Sequence, residues 1–103
     1  MRYLIIDGLV QETDVKIITI DGTFIRYLSY IDGDVVGQQA FWDGKDHRGR
    51  YVGSGVCLCM AYTKDGDTTV GKIAVIRKYD KAPGFILFSI FWVNGTKYLS
   101  YFL

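Results

Sequence analysis

Short runs of alternating apolar residues, cut by glycine-bearing turns and never spaced at a helical period, are what most constrain this chain. The runs at residues 3–6, 13–20, 24–30, 38–42, 56–63 and 68–77 read as strands, and their turns recur at roughly the 8–12-residue spacing of antiparallel β-sandwiches. Asp7-Gly8, Asp21-Gly22, Asp32-Gly33-Asp34 and Lys64-Asp65-Gly66-Asp67 mark the turns. Asp21-Gly22 is expected as a two-residue hairpin of the type I′ kind. In the second run Val15 and Ile17 share one face while Ile18 and Ile20 take the other, which implies burial on both faces or a bulge near Ile18. No helix of consequence is expected. A chain of 103 residues, 50% hydrophobic, makes one domain with a small core.

Between the fourth and fifth runs lies a long connector, W-D-G-K-D-H-R-G-R-Y-V-G-S-G, from residue 42 to 55. Asp43-Gly44 and Arg48-Gly49 allow positive φ, and Gly53 and Gly55 flank Ser54 before the chain returns to an apolar run. Asp43 and Asp46 are placed to accept hydrogen bonds from main-chain N–H groups just downstream, tying the connector down without regular structure. Trp42 is expected to be buried as its anchor.

The pattern Trp42-Asp43-Gly44, Asp46, Gly49, Val52, Ser54-Gly55-Val56 carries a resemblance. With Asp14-Val15-Lys16-Ile17 and Gly22 through Arg26 before it, and Gly71 through Arg77 after it, it is similar to the immunoglobulin-like domain of the flagellar hook-capping (FlgD) type. That module also stands at the C-termini of secreted and surface bacterial proteins, including sorting domains of the type IX secretion route. The resemblance covers roughly residues 1–78. It implies an immunoglobulin or fibronectin III-like antiparallel β-sandwich, with Trp42, Asp43, Gly44, Asp46, Gly49, Ser54 and Gly55 as a structural motif. It further implies a non-catalytic module, extracellular or on the cell surface as part of a longer exported protein, engaging secretion or assembly machinery or neighbouring domains. A free-standing, self-associating domain, capping an assembly as the flagellar relatives do, is the alternative. Met1 and Arg2 lead into only four apolar residues, short of the roughly 7–15 of a signal-peptide core, so no signal peptide is expected in this chain.

The residue inventory argues against chemistry. The lone histidine, His47, has no second histidine or cysteine at metal-ligand spacing, and no metal or cofactor is expected. Cys57 and Cys59, two apart in a strand, share a face, and C-x-C neither matches C-x-x-C redox motifs nor reaches disulfide geometry easily. They read as small buried residues, although the resemblance implies aromatic residues there. The acidic turns miss the calcium-loop register, and turn formation explains them; a weak surface calcium site at Asp43 and Asp46 is the competing reading. Ser54 lacks the G-x-S-x-G context, no phosphate-binding loop is present, and no enzyme is expected. A net charge of +1 disfavours nucleic acid, and Lys45, His47, Arg48 and Arg50 read as a solvated cluster.

Beyond the family-like region, Pro83-Gly84 sits in an expected linker (79–84), and residues 85–103 are strongly apolar. Asn94-Gly95 is a strong hairpin signal, so strands at 85–93 and 97–103 are expected to form an extra C-terminal hairpin. Phe85, Phe88, Phe91, Trp92, Tyr98, Tyr101 and Phe102 are its candidate interface, on the sandwich or across a homo-oligomer contact. A membrane-seeking end is the remaining reading, disfavoured because the apolar run is about half of what a spanning helix requires.

Overall fold

A computed structural model describes residues 4–77, 85–92 and 100–102, with the side chains of residues 4–75. Among the described residues there are nine strands and no helix. The strands are β1 (Leu4–Ile6), β2 (Asp14–Thr19), β3 (Phe24–Leu28), β4 (Val35–Val36), β5 (Gln39–Trp42), β6 (Gly55–Tyr62), β7 (Thr68–Arg77), β8 (Phe85–Trp92) and β9 (Ser100–Phe102). They form two antiparallel sheets, one ordered β4-β5-β1-β9 and the other β3-β2-β6-β7-β8. The fold is therefore all-β, as the alternation implies.

Both sheets feed one core through every second residue. β1 contributes Leu4 and Ile6, β2 Val15 and Ile17, β5 Ala40 and Trp42, β6 Cys57, Cys59 and Ala61, and β7 Ile73 and Val75. The buried face of β6 is made of small side chains, so bulk comes from other strands, with Trp42 the largest fully buried side chain among the described residues. Register keeps like with like: Leu4 lies opposite Trp42, Ile6 opposite Ala40, and Val15 between Leu28 and Ala61.

The turns are built alike. At the β2–β3 hairpin the Thr19 N–H donates to the Thr23 carbonyl (2.8 Å) and the Gly22 N–H to the Thr19 carbonyl (3.0 Å). Only Gly22 in that loop has positive φ, 94°. This is a three-residue loop closed by a left-handed glycine, not the expected type I′ turn, which needs positive φ at both central residues. The β6–β7 hairpin repeats it, with Thr63 N–H to Asp67 O and Gly66 N–H to Thr63 O, both 3.0 Å. In each, the first threonine hydroxyl also accepts an N–H from four residues on, Thr23 (2.9 Å) or Asp67 (3.1 Å). A shorter hairpin that the sequence reading did not separate joins β4 to β5 through Gly37-Gln38, with Gly37 at φ 60°.

The pattern at Ile18 resolves as a bulge. Ile17 faces Arg26 but Ile18 faces Phe24, leaving Ile25 as the extra residue of β3. Consecutive side chains are thereby put to inward use, since Ile25 enters the core and Arg26 reaches the connector.

The C-terminal strands differ from the expected added hairpin. β8 pairs with β7, from Arg77 opposite Phe85 to Gly71 opposite Trp92, and β9 pairs with β1, with Leu4 opposite Phe102. The two therefore join different sheets and extend them, rather than pairing with each other as an extension. Residues 85–92 are strand, not helix, and among the described residues no helix is long and apolar enough to cross a membrane. The physical reason is that β7 and β1 each offer an open edge to an apolar strand, and those edges are filled before a separate two-stranded ribbon forms. Asn94-Gly95, Tyr98 and the expected linker at 79–84 lie outside the described residues.

Candidate functional site

The connector between β5 and β6 folds back on itself as a miniature hairpin. Lys45 and Tyr51 form an antiparallel bridge, the Asp46 N–H donates to the Arg50 carbonyl (2.7 Å), and the Gly49 N–H donates to the Asp46 carbonyl (3.0 Å). Gly49 supplies positive φ (82°) where the loop closes, so this turn is built like the two hairpins above.

Its side chains tie it down as expected, and more tightly. Asp43 Oδ1 accepts the Lys45 N–H (3.0 Å), while Asp46 Oδ1 accepts from Arg48 N–H (2.9 Å) and Arg50 N–H (3.0 Å). Asp46 Oδ2 takes the Arg50 Nε–H at 3.1 Å. The Arg50 main-chain N–H is the largest cause of an Asp46 carboxyl held below its ordinary value; burial pushes back, and the Arg48 N–H and Arg50 guanidinium add to the lowering. Trp42, 1% exposed, donates its indole N–H to the Lys45 carbonyl (2.9 Å). Gly44, with φ 79°, lends its carbonyl to the Val52 N–H at 2.9 Å.

Three bonds fix this unit to β3. The Arg26 guanidinium donates to Asp43 Oδ1 (2.8 Å) and to the Lys45 carbonyl (3.2 Å), and the His47 N–H donates to the Ile25 carbonyl at 2.7 Å. The Phe24 and His47 rings lie 5.2 Å apart, and Lys45 Nζ stands 5.1 Å over the Tyr51 ring. Five of the motif residues, Trp42, Asp43, Gly44, Asp46 and Gly49, thus belong to one hydrogen-bonded unit. Ser54 and Gly55 lie past it, at the start of β6.

Beside the unit runs an open trough of about 750 Å³, lined by Thr19, Phe24, Ile25, His47, Arg48, Arg50 and the start of β6 among others. Sequence alone gives Lys45, His47, Arg48 and Arg50 as a solvated cluster and does not mark Arg26 as the clamp. An arginine beside a suspected register change was the available sign for the latter.

Cys57 and Cys59 are free and buried, and burial pushes the Cys57 thiol up and that of Cys59 up to about 12. Both stay protonated thiols near neutral pH. Among the described residues, no group of three or more His, Cys, Asp or Glu is placed to hold a metal ion. Phe85, Phe88, Phe91 and Trp92 stand in β8, and Tyr101 and Phe102 in β9.

Fold and connector define the class to which this chain is assigned: an all-β domain of two antiparallel sheets, with a pinned connector leading from β5 in one to β6 in the other. No family model matches the chain, and no curated protein or solved structure does.

Proposed function

We propose that the chain is a non-catalytic, immunoglobulin-like module of an exported or cell-surface bacterial protein, serving secretion sorting, spacing or assembly. What supports the reading is that the W-D-G-x-D-x-x-G residues act as architecture: Trp42, Asp43 and Asp46 each bond main-chain groups of the connector. A motif employed this way yields a rigid scaffold, and function then resides on its surface. Its partners are proteins, either secretion or assembly machinery or adjoining domains. Fusing a reporter enzyme upstream of the full chain in a bacterium with a type IX route tests the sorting role. Reporter activity is expected at the surface or in the medium, and retention equal to that of the unfused reporter would overturn sorting.

A second reading, a self-associating assembly domain, is favoured by the exposed apolar side chains Ile20, Phe24, Tyr27 and Val56. Sedimentation equilibrium separates the two: a mass that rises with concentration supports self-association, and a constant monomer mass removes it.

A further inference from the structure

We propose that the trough beside the connector is a docking site for an extended, acidic segment of a partner protein, an inference that builds on the interaction-module reading but not on export or sorting. Its lining has two characters. Phe24 and Val56 stay 39% and 41% exposed, with Ile25 and Cys57 buried behind them, so uncovered apolar surface faces the trough. The connector supplies charge: two arginines, Arg48 and Arg50, stand in the lining against one carboxylate, Asp46. That carboxylate is already engaged on both oxygens, by the Arg48 and Arg50 N–H groups and by Arg50 Nε–H. The Arg48 guanidinium has no carboxylate partner among the described residues. The trough therefore presents an unbalanced cation next to bare apolar surface, which complements an acidic and apolar ligand.

Shape favours a peptide over a small molecule. Pockets for small ligands enclose about 70–90% of the ligand surface, whereas Arg48, Gly53, Ser54, Gly55 and Val56 along this trough are themselves exposed to solvent. In an extended segment, side chains two apart face the same way, so one can lie on Phe24 and Val56 while the next reaches Arg48. The cationic wall is also preorganised, because His47 N–H on Ile25 O and Arg26 on Asp43 hold it in place before anything binds. Binding then orders little of this chain. Two arginines in a chain of net charge +1 are too few for a phosphate backbone.

The test pans a display library of random twelve-residue segments on the immobilised full chain, then measures synthetic winners by fluorescence polarisation. Enrichment of segments with Asp or Glu two residues from an aromatic or branched side chain is expected. Arg48→Glu should weaken them about tenfold, Val56→Ser several-fold, and added salt should weaken them further. Lys72→Glu, exposed on β7 and outside the lining, should leave affinity unchanged. Circular dichroism checks each variant, and Arg48→Gln gives a second measurement if Arg48→Glu does not fold. No enrichment, winners without acidic residues, or affinity unmoved by both Arg48 variants would overturn the site. Because the assay is made on purified protein, its failure leaves the sorting result standing, and the reverse holds too.

Discussion

Trp42 is the side chain on which core and connector both depend, and truncating it tests that dependence. Among the described residues it is the largest fully buried side chain, and its indole N–H ends on the Lys45 carbonyl. An aromatic side chain of this size buries about 150–250 Å², worth roughly 4–6 kcal/mol at about 25 cal/mol per Å². A denatured chain that already buries part of that surface lowers the figure, and Trp42→Ala is expected to cost about 3–5 kcal/mol. Trp42→Phe separates the two roles. It keeps most of the ring and removes the N–H, yet Lys45 O retains Arg26 as a donor, so no carbonyl is orphaned. The cost should be near 1–2 kcal/mol, about one hydrogen bond plus a small packing defect. Urea unfolding followed by far-ultraviolet circular dichroism reads both. With a slope of about 1–1.5 kcal/mol per M, Trp42→Ala should lower the midpoint by about 3 M and Trp42→Phe by about 1 M. A Trp42→Ala midpoint lowered by less than about 0.5 M at unchanged slope, a loss under about 1 kcal/mol, would refute the reasoning. So would Trp42→Phe proving as harmful as Trp42→Ala.

Three further outcomes are expected. Asp46 has a folded pKa below its unfolded value, so the stability it contributes is present above the unfolded carboxylate range and is lost as pH falls through the folded pKa; Asp46→Asn should flatten the acid limb of melting temperature against pH, and an unchanged limb counts against the Asp46 network. Cys57 and Cys59 should be almost inert to a thiol reagent at pH 8 in the folded protein and react fully in denaturant, whereas fast native labelling would show that the core opens there. Truncation after Arg77 removes one of the two partners of β7 and one of the two partners of β1, and should give an unfolded or aggregating chain by size-exclusion chromatography; a stable monomer would mean that β8 and β9 are dispensable.

The strands were legible because alternation survives in a small sandwich-like domain. Val15 and Ile17, or Cys57, Cys59 and Ala61, announce their buried face by spacing alone. The connector was legible in kind, since Asp and Gly at those spacings have few conformational uses. What escaped was tertiary. Nothing local to β3 says that Arg26 will turn inward, because that follows from a bulge set by its pairing with Ile17 and Ile18. The type I′ expectation at Asp21-Gly22 failed because Thr19 and Thr23 close the loop one residue wider. The tail misled for a related reason: Asn94-Gly95 signals only a local reversal of the chain, whereas β8 pairs with the strand before it, β7, and β9 with β1, at the far end of the sequence.

The pairing of β9 with β1 has a mechanical consequence. Leu4, at the start of β1, lies directly opposite Phe102, at the end of β9, and on its other side opposite Trp42 of β5, so a pull applied through Leu4 and Phe102 loads the β1–β9 pair from one end. Antiparallel bonds run across the strands, and tension in that geometry opens them one after another instead of shearing them together. Stretched this way, β9, the edge strand of its sheet, peels from β1 bond by bond, while the same pull reaches Trp42 and the connector through the other pairing of β1.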